Sequence, residues 1–142
     1  MDELEWQHNY VDLDNLRIHY VRHGAGMPII LQHGWPEFWY TWYKNIPALS
    51  QYFDVIVPDL RGFGETEKPE KVPNVDDYVN DLANLIDHLG LNDVGIVTHD
   101  VGAWIAQAYA RQNTQRLKGL IFTNCPYPGI GKRWCDPHHL IN

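Results

Sequence analysis

Along the chain the apolar positions repeat with a period of two in some stretches and of three to four in others, and each change of period marks an element. Gln7–Leu13 and Leu16–Arg22 read as two short strands, with Asp14-Asn15 between them as a hairpin turn. Pro28–Gln32 is a compact apolar run with β-branched residues, ended by His33-Gly34-Trp35-Pro36, where Gly and Pro signal a turn. Phe38–Ser50 is rich in aromatics and reads as helical, with Pro47 interrupting it. Phe53–Val57 is a further buried strand ending at Pro58-Asp59, and Arg61–Lys68 is a polar loop containing glycine.

Asn74 is placed to cap a helix, with Asp76 and Asp77 in the first turn, where the helix dipole favours them. Val79, Leu82, Ala83 and Ile86 then share one helical face, and Gly90 is a stop. Val94–Thr98 reads as a strand. Val101, Trp104, Ile105, Ala108 and Tyr109 repeat the helical spacing, and Leu117–Thr123 is a last strand broken by Asn124–Pro128. Strand and helix thus alternate after the opening hairpin. That order predicts an α/β fold with a mostly parallel sheet, the helices serving as crossovers. In such sheets chemistry gathers at the carboxyl ends of the strands. Three ends stand out, at His33–Pro36, His99–Gly102 and Asn124–Pro128.

Composition narrows the function classes. Lys and Arg number 11 against 18 Asp and Glu, a formal charge of −7. That excess disfavours nucleic acid, which needs a positive field to meet phosphate, and anionic membrane surfaces. The 142 residues predict one domain, and no apolar run approaches the roughly 20 residues of a membrane-spanning helix. Met1-Asp2-Glu3-Leu4-Glu5 is acidic, so no export signal is expected, and Cys125 and Cys135 are expected as reduced thiols in a cytoplasmic protein. His138 and His139 follow Cys135-Asp136-Pro137, but their spacing matches no strong ligand pattern, so neither a metal nor a cofactor is expected.

The strongest chemical signal is Thr98-His99-Asp100-Val101-Gly102-Ala103, which joins a strand to a helix with no room for a loop. Such a junction must turn sharply, and small residues at 102 and 103 let the helix pass close to the strand. Asp100 would stand at the tip, where the helix N-terminus stabilises its carboxylate and leaves it able to attack carbon. The plainer alternative is an Asp that caps the next helix. A backbone N–H at Trp35, after the earlier strand, would complete an oxyanion hole with the N–H of Val101.

Four segments together carry a resemblance: His33-Gly34-Trp35-Pro36-Glu37, Asp59-Leu60-Arg61-Gly62-Phe63-Gly64, His99-Asp100-Val101-Gly102-Ala103 and Asn124-Cys125-Pro126-Tyr127-Pro128. In order and content the chain resembles the α/β-hydrolase fold, and within it the epoxide hydrolase and haloalkane dehalogenase group. The resemblance implies an enzyme in which Asp100 opens an epoxide, forms an alkyl ester and yields a diol after hydrolysis. It implies a small apolar substrate, with His33, Pro36, Phe38, His99 and Asn124 as pocket candidates.

The branches differ in detail. Haloalkane dehalogenases usually carry Trp after the nucleophile and often Asn at the position of Trp35; fluoroacetate dehalogenases place Arg after the nucleophile. Val101 fits neither. Epoxide hydrolases favour an aromatic at the Trp35 position and the Asn-x-Pro-x-Pro run of Asn124–Pro128, though they often have Trp at the position of Val101 and Gly at that of Thr98. A dehalogenase on the same scaffold is therefore the first alternative, and a non-catalytic binding or assembly module the second.

The resemblance places the base His, its acidic partner and the cap tyrosines beyond Asn142. Residues 1–142 are accordingly expected to be the N-terminal part of an α/β-hydrolase core domain, completed by a C-terminal segment or another chain. Leu117–Thr123 is expected as an exposed apolar edge. Neither histidine near the elbow is expected to act as base: His99 should point toward the sheet or core, and His33 should be a structural hydrogen-bonding residue. Asp93, Asp59 and Glu37 are expected at the surface or in turns. The aromatics of Phe38–Tyr43 are expected mainly as packing against the sheet, with some rings exposed.

Overall fold

Successive residues of the central strands go to opposite faces of one six-stranded sheet, and both faces are covered. In the computed structural model, which describes residues 6–14 and 16–125, Ile30, Ile56 and Ile96 pack on one face with Leu82, Leu85, Ile86, Ile105 and Tyr109. Ile29, Leu31, Val55 and Val57 pack on the other with Trp39, Trp42 and Ile46. Unbroken apolar runs with this split are what strands buried on both sides require.

The strands are β1 (His8–Leu13), β2 (Leu16–Gly24), β3 (Met27–Gln32), β4 (Phe53–Pro58), β5 (Val94–His99) and β6 (Leu117–Thr123), arranged β1-β2-β4-β3-β5-β6. β1 and β2 are antiparallel to each other, and β2 is antiparallel to β4; the pairs β3–β4, β3–β5 and β5–β6 are parallel. The expected α/β architecture is therefore present, with an antiparallel hairpin leading into a parallel sheet. Asp14 takes a positive φ of 46° at the hairpin; Asn15 lies outside the described residues.

The helices between these strands are α1 (Ile46–Leu49), α2 (Val75–His88) and α3 (Gly102–Gln112). Asn74 caps α2 as expected: its side chain accepts from the Asp77 N–H while the Asp77 carboxylate accepts from the Asn74 N–H, at 3.0 and 2.9 Å. Gly90 follows the end of α2 with φ of +62°. The expected helix over Phe38–Ser50 is corrected. The segment forms a 3-10 turn, Trp39–Trp42, then the short α1, in which Pro47 lies in the first turn and so begins the helix rather than interrupting it. Trp39 and Trp42 are buried and Phe38 and Tyr40 exposed, the division expected for this stretch.

β6 is bonded to β5 and ends the strand order, with Ile121 58% exposed and Phe122 39% exposed, so the expected apolar edge is present among the described residues. No helix of the described residues is long and apolar enough to cross a membrane.

Candidate functional site

Two chain reversals meet at the carboxyl ends of β3 and β5, and glycines set how closely they meet. The pairing of Gln32 with Thr98 brings the turn after β3 beside the turn after β5. β5 ends at His99 and α3 begins at Gly102, leaving Asp100 to reverse the chain with φ of +52°, the left-handed region. Asp tolerates that region better than most residues, though at a cost. The Asp100 N–H donates to the Thr123 carbonyl at 3.2 Å and its carbonyl accepts from the Ala103 N–H at 3.0 Å, so the reversal is held from both sides.

A Cβ on Gly102 would lie 2.7 Å from the His33 carbonyl oxygen and 3.1 Å from that of Gln32; the start of α3 rests directly on the end of β3. A Cβ on Gly34 would lie 2.5 Å from the Asp100 Cβ. Across this gap the Trp35 N–H donates to Asp100 Oδ1 at 3.1 Å. The Trp35–Pro36 peptide is cis.

Glu37 ties the two turns together. Its Oε2 accepts from the Gly34 N–H at 2.9 Å and pairs with His99 Nδ1 at 3.0 Å. This corrects one expectation: His99 does not turn toward the sheet or core but reaches across to Glu37. Glu37 lies in its turn, as expected, its N–H donating to the Gly34 carbonyl at 3.2 Å, and from there it bridges the two turns. His33 behaves as expected. Its Nδ1–H donates to the Gly34 carbonyl at 2.7 Å, which leaves Nε2 to accept the Leu60 N–H at 2.9 Å. Both ring nitrogens are thus engaged in the neutral form, and burial pushes the imidazole pKa down.

Asp59, expected at the surface or in a turn, does occupy a turn but is buried as a hub. His19 Nδ1 lies 2.7 Å from its Oδ2, the Glu65 N–H donates to Oδ2 at 2.9 Å and the Trp39 N–H to Oδ1 at 2.6 Å. Burial alone would raise its pKa, but the hydrogen bonds from His19, Glu65 and Trp39 prevail and the net direction is down. Gly64, at φ of +50°, makes room for this carboxylate: a Cβ there would lie 2.1 Å from Asp59 Oδ2. Asp93 is exposed in a turn, as expected, and pairs with Lys118 at 3.1 Å.

An apolar cavity of about 290 Å³ opens beside the elbow, walled by Trp35, Val101, Trp104, Phe63, Leu60 and Tyr78. Burial pushes the Tyr78 phenol pKa up, so it stays a donor. Of the sequence-derived candidates, Trp35 and Val101 reach this cavity. His33 is sealed behind the turn, His99 is engaged with Glu37, and Pro36, Phe38 and Asn124 are exposed away from its walls. Asn124 has φ of +47° just after β6. Burial, and then the charge of Asp100, raise the Cys125 thiol pKa. Pro126–Pro128, Cys135, His138 and His139 lie outside the described residues. Among the described residues no histidine hydrogen-bonds the Asp100 carboxylate.

Comparison with known proteins adds three findings. Residues 27–142 match the model of the alpha/beta hydrolase fold family. The chain is 39% identical over 128 residues to a soluble epoxide hydrolase of Corynebacterium sp. (strain C12), covering 90% of this chain and 44% of that protein. Among solved structures it is similar to the epoxide hydrolase CorEH without ligand (TM-score 0.82, 39% identity, 85% of this chain and 43% of that one). It is also similar to a haloalkane dehalogenase DbeA loop variant from Bradyrhizobium elkanii (TM-score 0.78, 28% identity, 83% and 40%). The chain thus spans less than half the length of these relatives.

Proposed function

The chain belongs to the alpha/beta hydrolase fold family, and on that premise we propose that it carries the nucleophile and oxyanion site of an epoxide hydrolase. The observation behind this reading is the hydrogen bond from the Trp35 N–H to Oδ1 of Asp100, made at a left-handed reversal between strand and helix.

That bond divides the labour between the two carboxylate oxygens. Oδ1 faces an N–H donor and is the oxygen to become the ester carbonyl; Oδ2 is left to attack. In the first step Oδ2 forms a bond to an epoxide carbon, the carbon–oxygen bond of the ring breaks, and the ring oxygen takes a proton from an acid. The product is an alkyl ester on Asp100. In the second step a base removes a proton from water, which adds to the ester carbon, and negative charge collects on Oδ1. In this reading that charge is held by the Trp35 N–H, which already donates to Oδ1, together with the Val101 N–H; one such donor is worth about 10²–10³-fold in rate. Collapse releases the diol and restores the carboxylate. The base in this reading comes from outside the described residues, because His33 and His99 are committed to Leu60 and Glu37. The apolar cavity beside Val101 suits a small apolar epoxide.

The similarity to a haloalkane dehalogenase favours a second reading, in which the same carboxylate displaces halide. Val101 weighs against it, since an aliphatic side chain offers a leaving halide no N–H.

One experiment tests both the nucleophile and the reaction. The full-length protein that carries this sequence is given an aryl epoxide in heavy-oxygen water under single-turnover conditions. Label in the Asp100 peptide, with unlabelled diol, is the expected result, and Asp100→Asn should abolish diol formation. Label in the diol at the first turnover would refute the ester route, and halide release from a haloalkane without epoxide turnover would favour the second reading.

A further inference from the structure

Away from the elbow, three side chains with metal-binding atoms converge at the opening hairpin. His8 Nδ1 faces His19 Nε2 at 2.8 Å, and Glu65 Oε1 lies 3.8 Å from the first and 4.0 Å from the second. His8 is on β1, His19 on β2 and Glu65 in the loop after β4.

The tautomer of His19 follows from its other nitrogen. Asp59 is an ionised acceptor that also takes the N–H groups of Trp39 and Glu65, so His19 Nδ1 must be the donor to it. A neutral His19 then presents a lone pair at Nε2, aimed at His8. A carboxylate behind one ring nitrogen with the other facing a ligand atom is the arrangement that orients metal-binding histidines. His19 is fully buried and its ring cannot swing away. Glu65 is held too, because its second oxygen accepts from the Tyr10 hydroxyl, and the Trp39 ring stands edge-on against His8 at 5.3 Å.

We propose that His8, His19 and Glu65 form a binding site for one divalent transition-metal ion of the zinc class, joining the hairpin to the loop after β4. Two imidazoles and a carboxylate are a zinc donor set, with a fourth position left for solvent. Ligands at about 2.0–2.2 Å in a tetrahedron stand about 3.3–3.5 Å apart. The histidine pair therefore opens by about 0.5 Å and Glu65 closes by about the same. His8 and Glu65 allow this, since their side chains are 36% and 52% exposed. Without metal, the His8 Nδ1–H donates to His19 Nε2; binding requires the other tautomer of His8, its proton moved to Nε2 and its Nδ1 lone pair given to the ion. Three ligands 11 to 57 residues apart explain why no spacing pattern betrays the site.

The test uses the full-length protein, stripped by chelator and titrated with zinc chloride against a colorimetric indicator. Wild type should take up one saturable equivalent that is missing from His8→Gln and from Glu65→Gln. Loss of a ligand should weaken binding at this site by at least the 10–100-fold typical of losing a supporting residue. Both substitutions lie at the exposed rim, and melting curves without metal are the check that each variant is folded. Cobalt(II) should give visible ligand-field bands that His8→Gln removes. Zinc stoichiometry and affinity equal in wild type and both variants, or no saturable uptake by wild type, would overturn the proposal.

Discussion

Replacing Gly34 by alanine adds one methyl group at the meeting point of the two turns. The backbone there tolerates any residue, so the effect comes from contact alone. The new Cβ would lie 2.5 Å from the Asp100 Cβ, 3.1 Å from Asp100 Oδ1 and 3.1 Å from the His99 carbonyl oxygen, whereas ordinary contact begins near 3.4 Å. The turns must therefore separate by about 0.9 Å. The bond from the Trp35 N–H to Oδ1 starts at 3.1 Å, so half of that separation carries it to the limit of hydrogen bonding. Loss of one oxyanion donor costs about 10²–10³-fold in kcat, and overpacking costs about 1–3 kcal/mol of stability. The assay is epoxide turnover by the full-length protein, alongside denaturant unfolding. Gly119→Ala is the control, because its added Cβ meets nothing within 4 Å. If Gly34→Ala keeps turnover and stability within twofold and 0.5 kcal/mol or so of that control, a spread ordinary for a neutral substitution, then the close approach of Gly34 to Asp100 does not hold the site together.

Two further outcomes follow from the fold. Asn74→Ala removes one arm of the capping box of α2 and should lower stability by about 1 kcal/mol in denaturant unfolding. His33 is held neutral by burial, with its pKa below the ordinary 6.5. A depressed value in the fold means that unfolding takes up a proton, so the contribution of His33 is complete above pH 6.5 and falls away below it. Melting temperature measured from pH 8 down to 5 should drop more steeply below 6.5 in wild type than in His33→Gln, with parallel curves refuting the sign.

What could be read from the chain divides by the range of the interactions involved. The cap at Asn74 is legible because its partner Asp77 is three residues away, and β6 emerges with the expected bounds because its apolar run is continuous. The elbow is legible for the same reason: strand, Asp100, Gly102 and helix lie within a few residues, and the small side chains report the close packing directly. Pro47 misleads as an interruption because proline both begins and breaks helices, and the hydrogen bond from the Leu49 N–H back to the Asn45 carbonyl shows that here it begins one.

The supports of the site are another matter. His99 and Glu37 are 62 positions apart, and Asp59 draws on His19, 40 positions before it. Each carboxylate looks like an ordinary polar turn residue in its own segment, since nothing local distinguishes a solvated Asp from a buried one. The order β2-β4-β3-β5 is what turns them inward. It sets the end of β4 beside β2, where Asp59 meets His19, and the end of β3 beside β5, where Glu37 meets His99. The nucleophile candidate is thus written in six consecutive residues, whereas the groups that hold it and its neighbours in place are specified by strand order.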